Sequence, residues 1–179
     1  TTGTVTLRGR SGLLAGTGLG MHHELTGREN IIISGGIMGL SRREIEERLE
    51  SIVEFSELEE ALETPVKFYS SGMLARLSFA VSIHLNTPDI LFIDEVLATG
   101  DIAFKQKCFA KLESLRDSGT TIVLVTHGLG YIQKYADYCL YLREGKMADW
   151  GEPDDVIAHY RKDLGLQHSR PQESRVASR

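Results

Sequence analysis

The chain has 179 residues, of which 41% are hydrophobic and 25% charged, a composition typical of one globular domain. Its net charge of −5 argues against a generally basic nucleic-acid-binding protein, so we expect no nucleic-acid partner. No apolar run approaches the roughly 20 residues that a membrane-spanning helix needs. The only two cysteines, Cys108 and Cys139, stand among apolar or aromatic neighbours and predict buried free thiols in a reducing cytosol.

The N-terminal third of the chain predicts helices after two short strand candidates. Residues 4–7 alternate and predict a short strand, while residues 12–15 are a weaker candidate. Residues 28–40 are apolar enough for a buried helix, despite two glycines within them. Ser41 and Glu44 have the spacing of a capping box, and apolar residues at helical spacing follow. Residues 41–63 hold nine Glu against three Arg, which is typical of a solvated helix face.

The middle and C-terminal parts predict an α/β fold. A short helical turn at residues 58–62 and a helix over 71–85 precede a continuous apolar run at 90–93, which predicts a strand buried on both faces. A helix over 104–115, an apolar strand over 121–125, a helix over 129–135, a strand over 138–142 and a helix over 153–160 follow. Such alternation of strands and helices is typical of an α/β domain with a parallel sheet flanked by helices.

Two carboxylates, Asp94 and Glu95, directly follow the apolar run at 90–93. Ligands of open α/β sheets bind at the carboxyl ends of the strands. Asp94 there can hold Mg²⁺, and Glu95 can polarise a water molecule for attack on a phosphoryl group. Taken alone, the pair fits an acidic turn between a strand and a helix equally well.

Two further features of the sequence have polar groups at positions where they could contact a phosphate. His127 follows the strand at 121–125. If that strand is a neighbour of the strand at 90–93, His127 can lie beside Asp94 and Glu95. There it can contact a phosphate or orient the attacking water. Ser70, Ser71, Gly72 and Met73 open the helix at 71–85, and the free amides of a helix N-terminus favour a phosphate. The simpler interpretations are a structural histidine and an ordinary serine N-cap.

Together these residues resemble the nucleotide-binding subunits of ATP-binding cassette transporters, whose pattern matches the chain from about residue 3 to residue 160. The run Tyr-Ser-Ser-Gly-Met at 69–73 resembles the signature motif, and Arg76 stands where an Arg usually follows it. Asp94 and Glu95 resemble the Walker B aspartate and the catalytic glutamate. Residues 98–101 resemble the D-loop, with Asp101 as its aspartate, and His127 resembles the switch histidine.

Finer likenesses point to one branch of that family, which exports surface polysaccharide or teichoic acid across bacterial inner membranes. They are the run Glu-Leu-Thr-Gly-Arg-Glu-Asn at 24–30, the Tyr-Ser-Ser-Gly-Met form of the signature, and Asp-Glu-Val-Leu-Ala at 94–98. The resemblance implies a P-loop NTPase-like fold with an inserted helical subdomain at about 22–86 and a core at 87–160. We expect residues 161–179, which are basic, to be a disordered tail.

The chain departs from the family pattern at several points. The phosphate-binding loop G-x-x-x-x-G-K-[ST] does not occur. Two other residues of the family pattern are also missing: the aromatic residue that stacks on adenine, and the glutamine that joins the core to the helical subdomain and contacts Mg²⁺. Gly128 follows His127 where an acidic residue is common. The expectation is therefore a partial nucleotide-binding domain that begins after the first strand–loop–helix unit and is inactive alone because the Walker A segment is absent.

The resemblance also implies a mechanism and its partners. ATP and Mg²⁺ would bind between two such subunits in a head-to-tail homodimer, and integral membrane permease subunits would dock on the helical subdomain around residues 20–65. Such a subunit lies at the cytoplasmic face of the inner membrane. Two alternatives stay open: a non-catalytic, degenerate cassette that docks on or regulates a partner, and a cassette protein of DNA repair or translation.

Overall fold

The computed structural model describes residues 2–15, 20–85, 88–94 and 101–166. The chain divides into two compact units, Thr1–Val125 and Thr126–Arg179. Within the described residues, the first unit contains three strands and four helices, with short 3-10 turns at Glu59–Ala61 and Val66–Phe68. In chain order these elements are β1 (Ser11–Ala15), α1 (Gly27–Ile37), α2 (Arg42–Ser56), α3 (Ser71–Leu85), β2 (Ile90–Asp94), α4 (Ile102–Asp117) and β3 (Thr121–Val125).

The three strands form a parallel sheet in the order β1-β2-β3, which confirms the predicted α/β architecture. Phe92 of β2 lies opposite Leu13 on one side and Val123 on the other. The predicted strand at residues 4–7 is wrong and the weaker candidate at 12–15 is confirmed, because the strand that pairs with β2 is Ser11–Ala15. The carbonyl of Arg10 accepts hydrogen bonds from the amides of Asp89 and Ile90, which sets this register.

Burial of the sheet differs from the sequence prediction. Leu91 and Ile93, which share one face of β2, are 2% and 1% exposed. Phe92 on the opposite face is only partly buried, and its register neighbours Leu13 and Val123 are 63% and 40% exposed. Successive side chains of a strand point to opposite faces, so β2 is buried on one face rather than on both.

Between β1 and β2 lie the three helices α1 to α3, whose apolar faces pack into one core. A capping box of Ser41 and Glu44 begins α2 as predicted. A second capping box, of Thr26 and Glu29, begins α1 and was not anticipated from the sequence. The buried residues of this core include Ile31, Ile45, Ile52, Leu77, Ala80 and Val81.

The second unit consists of α5 (Leu129–Tyr135), β4 (Cys139–Arg143), β5 (Lys146–Gly151) and α6 (Pro153–Asp163). Strands β4 and β5 form an antiparallel hairpin with Leu140 opposite Trp150. Helix α6 packs on this hairpin, where the rings of Tyr141 and Tyr160 meet edge to face with centroids 5.1 Å apart. It continues to Asp163, three residues past its predicted end, and residues 167–179 of the predicted tail lie outside the described residues.

The predicted division into a helical subdomain at about 22–86 and a core at 87–160 stays a prediction. The described helices α1 to α3 do occupy the interval between β1 and β2. The compact units, however, meet at a different position, between Val125 and Thr126.

Candidate functional site

The N-terminal turn of α3 presents the four residues of the signature-like motif. The Ser70 hydroxyl accepts a hydrogen bond from the amide of Met73 at 3.2 Å and so caps the helix. Ser70 and Ser71 are exposed, whereas Gly72 and Met73 are partly buried. A side chain on Gly72 would approach the Ser70 hydroxyl oxygen to 3.8 Å, an ordinary contact. The turn therefore offers an exposed Ser71 hydroxyl and helix N-terminal amides to an anion.

Tyr69, directly before this turn, is fixed by a contact that the sequence did not predict. Its hydroxyl donates a hydrogen bond to the carbonyl of Ala61 at 2.7 Å. A Cβ on Gly27 would lie 2.5 Å from that hydroxyl oxygen, so a side chain at position 27 would displace the Tyr69 hydroxyl. Burial raises the pKa of Tyr69, which keeps the phenol protonated as a donor. Nothing in the local sequence pairs residue 27 with residue 69.

Asp94 is the last residue of β2, and its backbone lies in register between Ala15 of β1 and Val125 of β3. Its side chain is exposed at the carboxyl end of the parallel strands. An exposed carboxylate is a suitable ligand for Mg²⁺, which usually takes one or two protein carboxylates together with water and phosphate oxygens. Among the described residues, no group of three or more His, Cys, Asp or Glu could hold a metal.

Asp101 is engaged within its own chain by both carboxylate oxygens. One accepts the amide of Phe104 at 2.8 Å and caps α4, and the other pairs with the guanidinium of Arg76. The Phe104 amide, and then Arg76, lower the pKa of Asp101. The structure thereby brings Asp101 and the signature helix α3 together through Arg76.

His127 belongs to the second unit and is exposed there, two residues after the end of β3 in the chain. The neighbouring Gly128 has a steric reason to lack a side chain, because a Cβ would lie 2.6 Å from Cδ2 of Tyr131. The Gly128 amide also donates to the Thr126 hydroxyl at 3.1 Å. This accounts for the departure from an acidic residue at position 128.

Other predicted site residues fall outside the described part of the chain. Glu95, together with residues 98–100 of the D-loop-like run, lies in the interval 95–100. The predicted arrangement of Asp94, Glu95 and His127 as one catalytic set therefore stays a prediction. The neighbouring positions of their two strands are confirmed by the parallel pairing of β2 with β3.

The solved structures most useful for comparison are ATPases of the cassette type. A structure described as the ATP-binding subunit of an ABC transporter superposes with a TM-score of 0.74 at 25% identity, covering 89% of this chain and 64% of the other. An ATP-binding cassette in a dimeric post-hydrolysis state with ADP and phosphate superposes with a TM-score of 0.68 at 21% identity, covering 80% of this chain and 63% of the other. The fold is that of an ABC ATPase, with its parallel sheet and inserted helices.

The sequence relatives of the chain are ATP-binding proteins of export systems, as the fold would suggest. No protein-family model matches the chain. The O-antigen export system ATP-binding protein of Myxococcus xanthus is 43% identical over 170 residues, covering 95% of this chain and 39% of the relative. Its counterpart in Klebsiella pneumoniae is 43% identical over 162 residues, covering 90% and 65%. The teichoic acids export ATP-binding protein of Levilactobacillus brevis is 42% identical over 162 residues, covering 90% and 44%.

The structural neighbours of the chain are thus ABC ATPases. Its sequence is homologous to the ATP-binding proteins of O-antigen and teichoic acid export. It spans 39% to 65% of the length of these three relatives. No helix in the described ranges is long and apolar enough to cross a membrane.

Proposed function

We propose that the chain is the ATP-binding and ATP-hydrolysing part of a bacterial ABC exporter of surface polysaccharide or teichoic acid. The observation that carries this proposal is identity of about 40% over nine tenths of the chain to export ATP-binding proteins. Hydrolysis in a head-to-tail homodimer would drive transport through membrane permease subunits. The dimeric cassette among the structural neighbours supports that assembly. The chain would then lie at the cytoplasmic face of the inner membrane, held there by the permease.

The residues of the signature-like turn would bind the nucleotide of the partner subunit. The exposed hydroxyl of Ser71 and the amides of Gly72 and Met73 suit a γ-phosphate, because helix N-terminal amides carry partial positive charge. Ser70, which is also exposed, would contact the same phosphate and hold the turn in shape through its cap to Met73. Asp101 would contribute across the interface while it remains capped onto α4.

The strand-end residues would carry the chemistry. Asp94 would contribute one carboxylate to Mg²⁺, which when bound neutralises charge developing on the phosphate oxygens. Glu95 would accept a hydrogen bond from the attacking water and so polarise that water. His127 would contact the γ-phosphate and orient that water.

Docking of the permease is supported by a groove in the helical part of the first unit. The groove has a volume of about 460 Å³ and lies among α1, α2 and the turn at Glu59–Ala61. It is lined by three apolar side chains, by four glutamates and by Arg28, the apolar ones being Leu49, Val53 and Leu62. This composition suits a short helix with an apolar face and basic flanks.

A second candidate function follows from the missing phosphate-binding motif. Residues 1–179 contain no G-x-x-x-x-G-K-[ST] sequence, and such a loop supplies the amides and the lysine that hold the β- and γ-phosphates. We therefore expect residues 1–179 alone to bind ATP weakly and not to hydrolyse it. A degenerate cassette that lends its signature turn to a complete subunit, or regulates it, would have the same property.

The test compares residues 1–179 with a version extended at its N-terminus by a segment that contains the phosphate-binding loop. We expect MgATP binding and hydrolysis only in the extended version, and loss of hydrolysis on Asp94→Asn. The matched control is Asp117→Asn, an exposed carboxylate at the end of α4. Robust hydrolysis by residues 1–179 would refute the requirement for the loop, and an inactive extended version would favour the regulatory candidate. Copurification with a permease separates transport from DNA repair or translation.

A further inference from the structure

Arg76 lies where three helices of the first unit meet. It is the sixth residue of α3, and its side chain is 19% exposed. One guanidinium nitrogen donates to Glu57 at the C-terminal end of α2, and another donates to Asp101 at the start of α4. The guanidinium also lies over the ring of Phe104, 4.7 Å from its centroid. A planar fork with several fixed donors can hold two carboxylates at once, which an ammonium group does less well.

Neighbouring side chains also hold α2, α3 and α4 together around Arg76. Lys107 of α4 donates to Glu57 at 2.9 Å and to the carbonyl of Glu54 at 3.2 Å. The rings of Phe55 from α2, Phe79 from α3 and Phe104 from α4 have centroids 5.8 to 6.2 Å apart. The hydrogen bonds from Arg76 and Lys107 lower the pKa of Glu57, so it stays ionised as their shared partner. Glu57 itself adopts a left-handed conformation with φ of 57°, which turns the chain out of α2.

The contacts of Arg76 connect the signature-like turn to Asp101, the residue that caps the start of α4. Arg76 follows Ser70–Met73 within the first two turns of α3, and the Leu74 amide donates to the Ser70 carbonyl at 2.9 Å. Asp101 begins α4 seven residues after Asp94 in the chain. A helix moves as a rigid element, so a link to Arg76 is a link to the turn at its N-terminus.

We propose that Arg76 is a positioning residue that couples the signature-like turn of α3 to Asp101 at the start of α4. The link makes the placement of the phosphate-contacting turn depend on the helix that follows the Asp94 strand. This inference rests on the proposed function for the role of that turn in nucleotide binding. The coupling itself is a property of the chain without nucleotide.

Substitution at Asp101 can separate the ion pair from the helix cap. Asparagine caps helices as well as aspartate does, so Asp101→Asn keeps the bond to the Phe104 amide and removes the charge that faces Arg76. Arg76→Lys keeps the charge and removes the fork. Glu47→Gln is the matched control, because it breaks an exposed pair with Arg43 on α2.

The experiment measures amide hydrogen exchange residue by residue in residues 1–179. Asp101→Asn and Arg76→Lys should each speed exchange of the Leu74 amide roughly twofold to fivefold. The double variant should be no faster than Arg76→Lys alone, because Asp101→Asn removes an interaction that the loss of the Arg76 fork has already removed. The amide of Lys105, which donates to the Asp101 carbonyl at 3.0 Å, reports on the cap. Leu91 in the buried strand reports on global unfolding.

Several results would overturn the proposal. They are an unchanged exchange rate of the Leu74 amide in both variants, an equal acceleration of exchange at the Leu91 amide, and additive accelerations in the double variant. In the extended, ATP-hydrolysing version both substitutions should lower kcat by about tenfold while KM stays within about twofold. A matching rise in KM without loss of kcat would also refute the positioning role. If the wild-type extended version does not hydrolyse ATP, the proposed function fails, while the exchange data still decide the coupling.

Discussion

Gly35 in α1 lies against Ile45 in α2 so closely that a Cβ on Gly35 would be 2.5 Å from Cγ1 of Ile45. The next residue, Gly36, has no atom within 4 Å of the same position. Both glycines lie in one helix, so they share the entropic cost of glycine and differ in the space around them.

The pair predicts opposite effects of the same substitution. Gly36→Ala should raise the free energy of unfolding by about 0.5–1 kcal/mol, because alanine loses less backbone entropy on folding. Gly35→Ala should lower it by about 1–3 kcal/mol, because the methyl group forces the buried Ile45 side chain to shift. Urea unfolding followed by circular dichroism measures both. A rise in the free energy of unfolding in both variants would contradict the close α1–α2 contact at Gly35.

Tyr69→Phe should destabilise the first unit by about 1 kcal/mol. The substitution removes the hydrogen bond to the Ala61 carbonyl and leaves that oxygen without its donor in a half-buried place. The matched control is Tyr138→Phe, whose ring is 62% exposed in the second unit and stacks on Trp150. We expect the control to unfold at the same urea concentration as the wild type. Equal stability of both variants would exclude an anchoring role for the Tyr69 hydroxyl.

Local patterns in the sequence predicted most of the fold. The Ser41 capping box, the helix at 71–85 and the two apolar runs at 90–93 and 121–125 each depend on residues close in the chain, and all four elements formed. Side-chain hydroxyls at a cap and apolar periodicity act locally, which is why such patterns are informative.

Features that depend on distant residues were not predictable in the same way. Alternation favoured a strand at residues 4–7 over the weaker candidate at 12–15, but pairing with β2 selected Ser11–Ala15, and β pairing is a long-range choice. The partners of Arg76 lie 19 and 25 residues away in the chain. The motif at 69–73 identified where the turn would be, and only the folded chain revealed that Glu57 and Asp101 share the guanidinium behind it.

His84 predicts a loss of stability at mildly acidic pH. Burial, together with the nearby charges of Lys111 and Lys107, lowers its pKa, although a bond between Nδ1 and the Ala80 carbonyl at 2.9 Å opposes the shift. The folded state therefore prefers the neutral ring, and the unfolded state binds the proton more readily below its ordinary pKa of about 6.5. Stability from this residue is present above that pH and is lost as the pH falls through the folded-state value.

The measurement is urea unfolding at several values between about pH 7.5 and pH 5. The wild type should lose stability over this range, and His84→Gln should lose less. The ring of His84 lies 5.2 Å from that of Phe55, so the variant is also expected to be less stable at neutral pH. The exposed His22 supplies the control, His22→Gln, which should keep the wild-type slope. An unchanged slope in His84→Gln would mean that His84 does not cause the pH dependence.

The two free cysteines should differ in their reactivity toward thiol reagents. Burial raises the pKa of Cys108 to about 12, so at pH 8 very little of it is thiolate, the reactive form. Burial also raises the pKa of Cys139, but that residue is only half-buried, which corrects the prediction of two buried thiols. Labelling in the native state should therefore modify Cys139 first. In Cys139→Ser the remaining thiol, Cys108, should react only as fast as the first unit opens, and urea should raise its labelling rate to that of an exposed thiol. Fast native labelling of that variant would contradict the burial of Cys108.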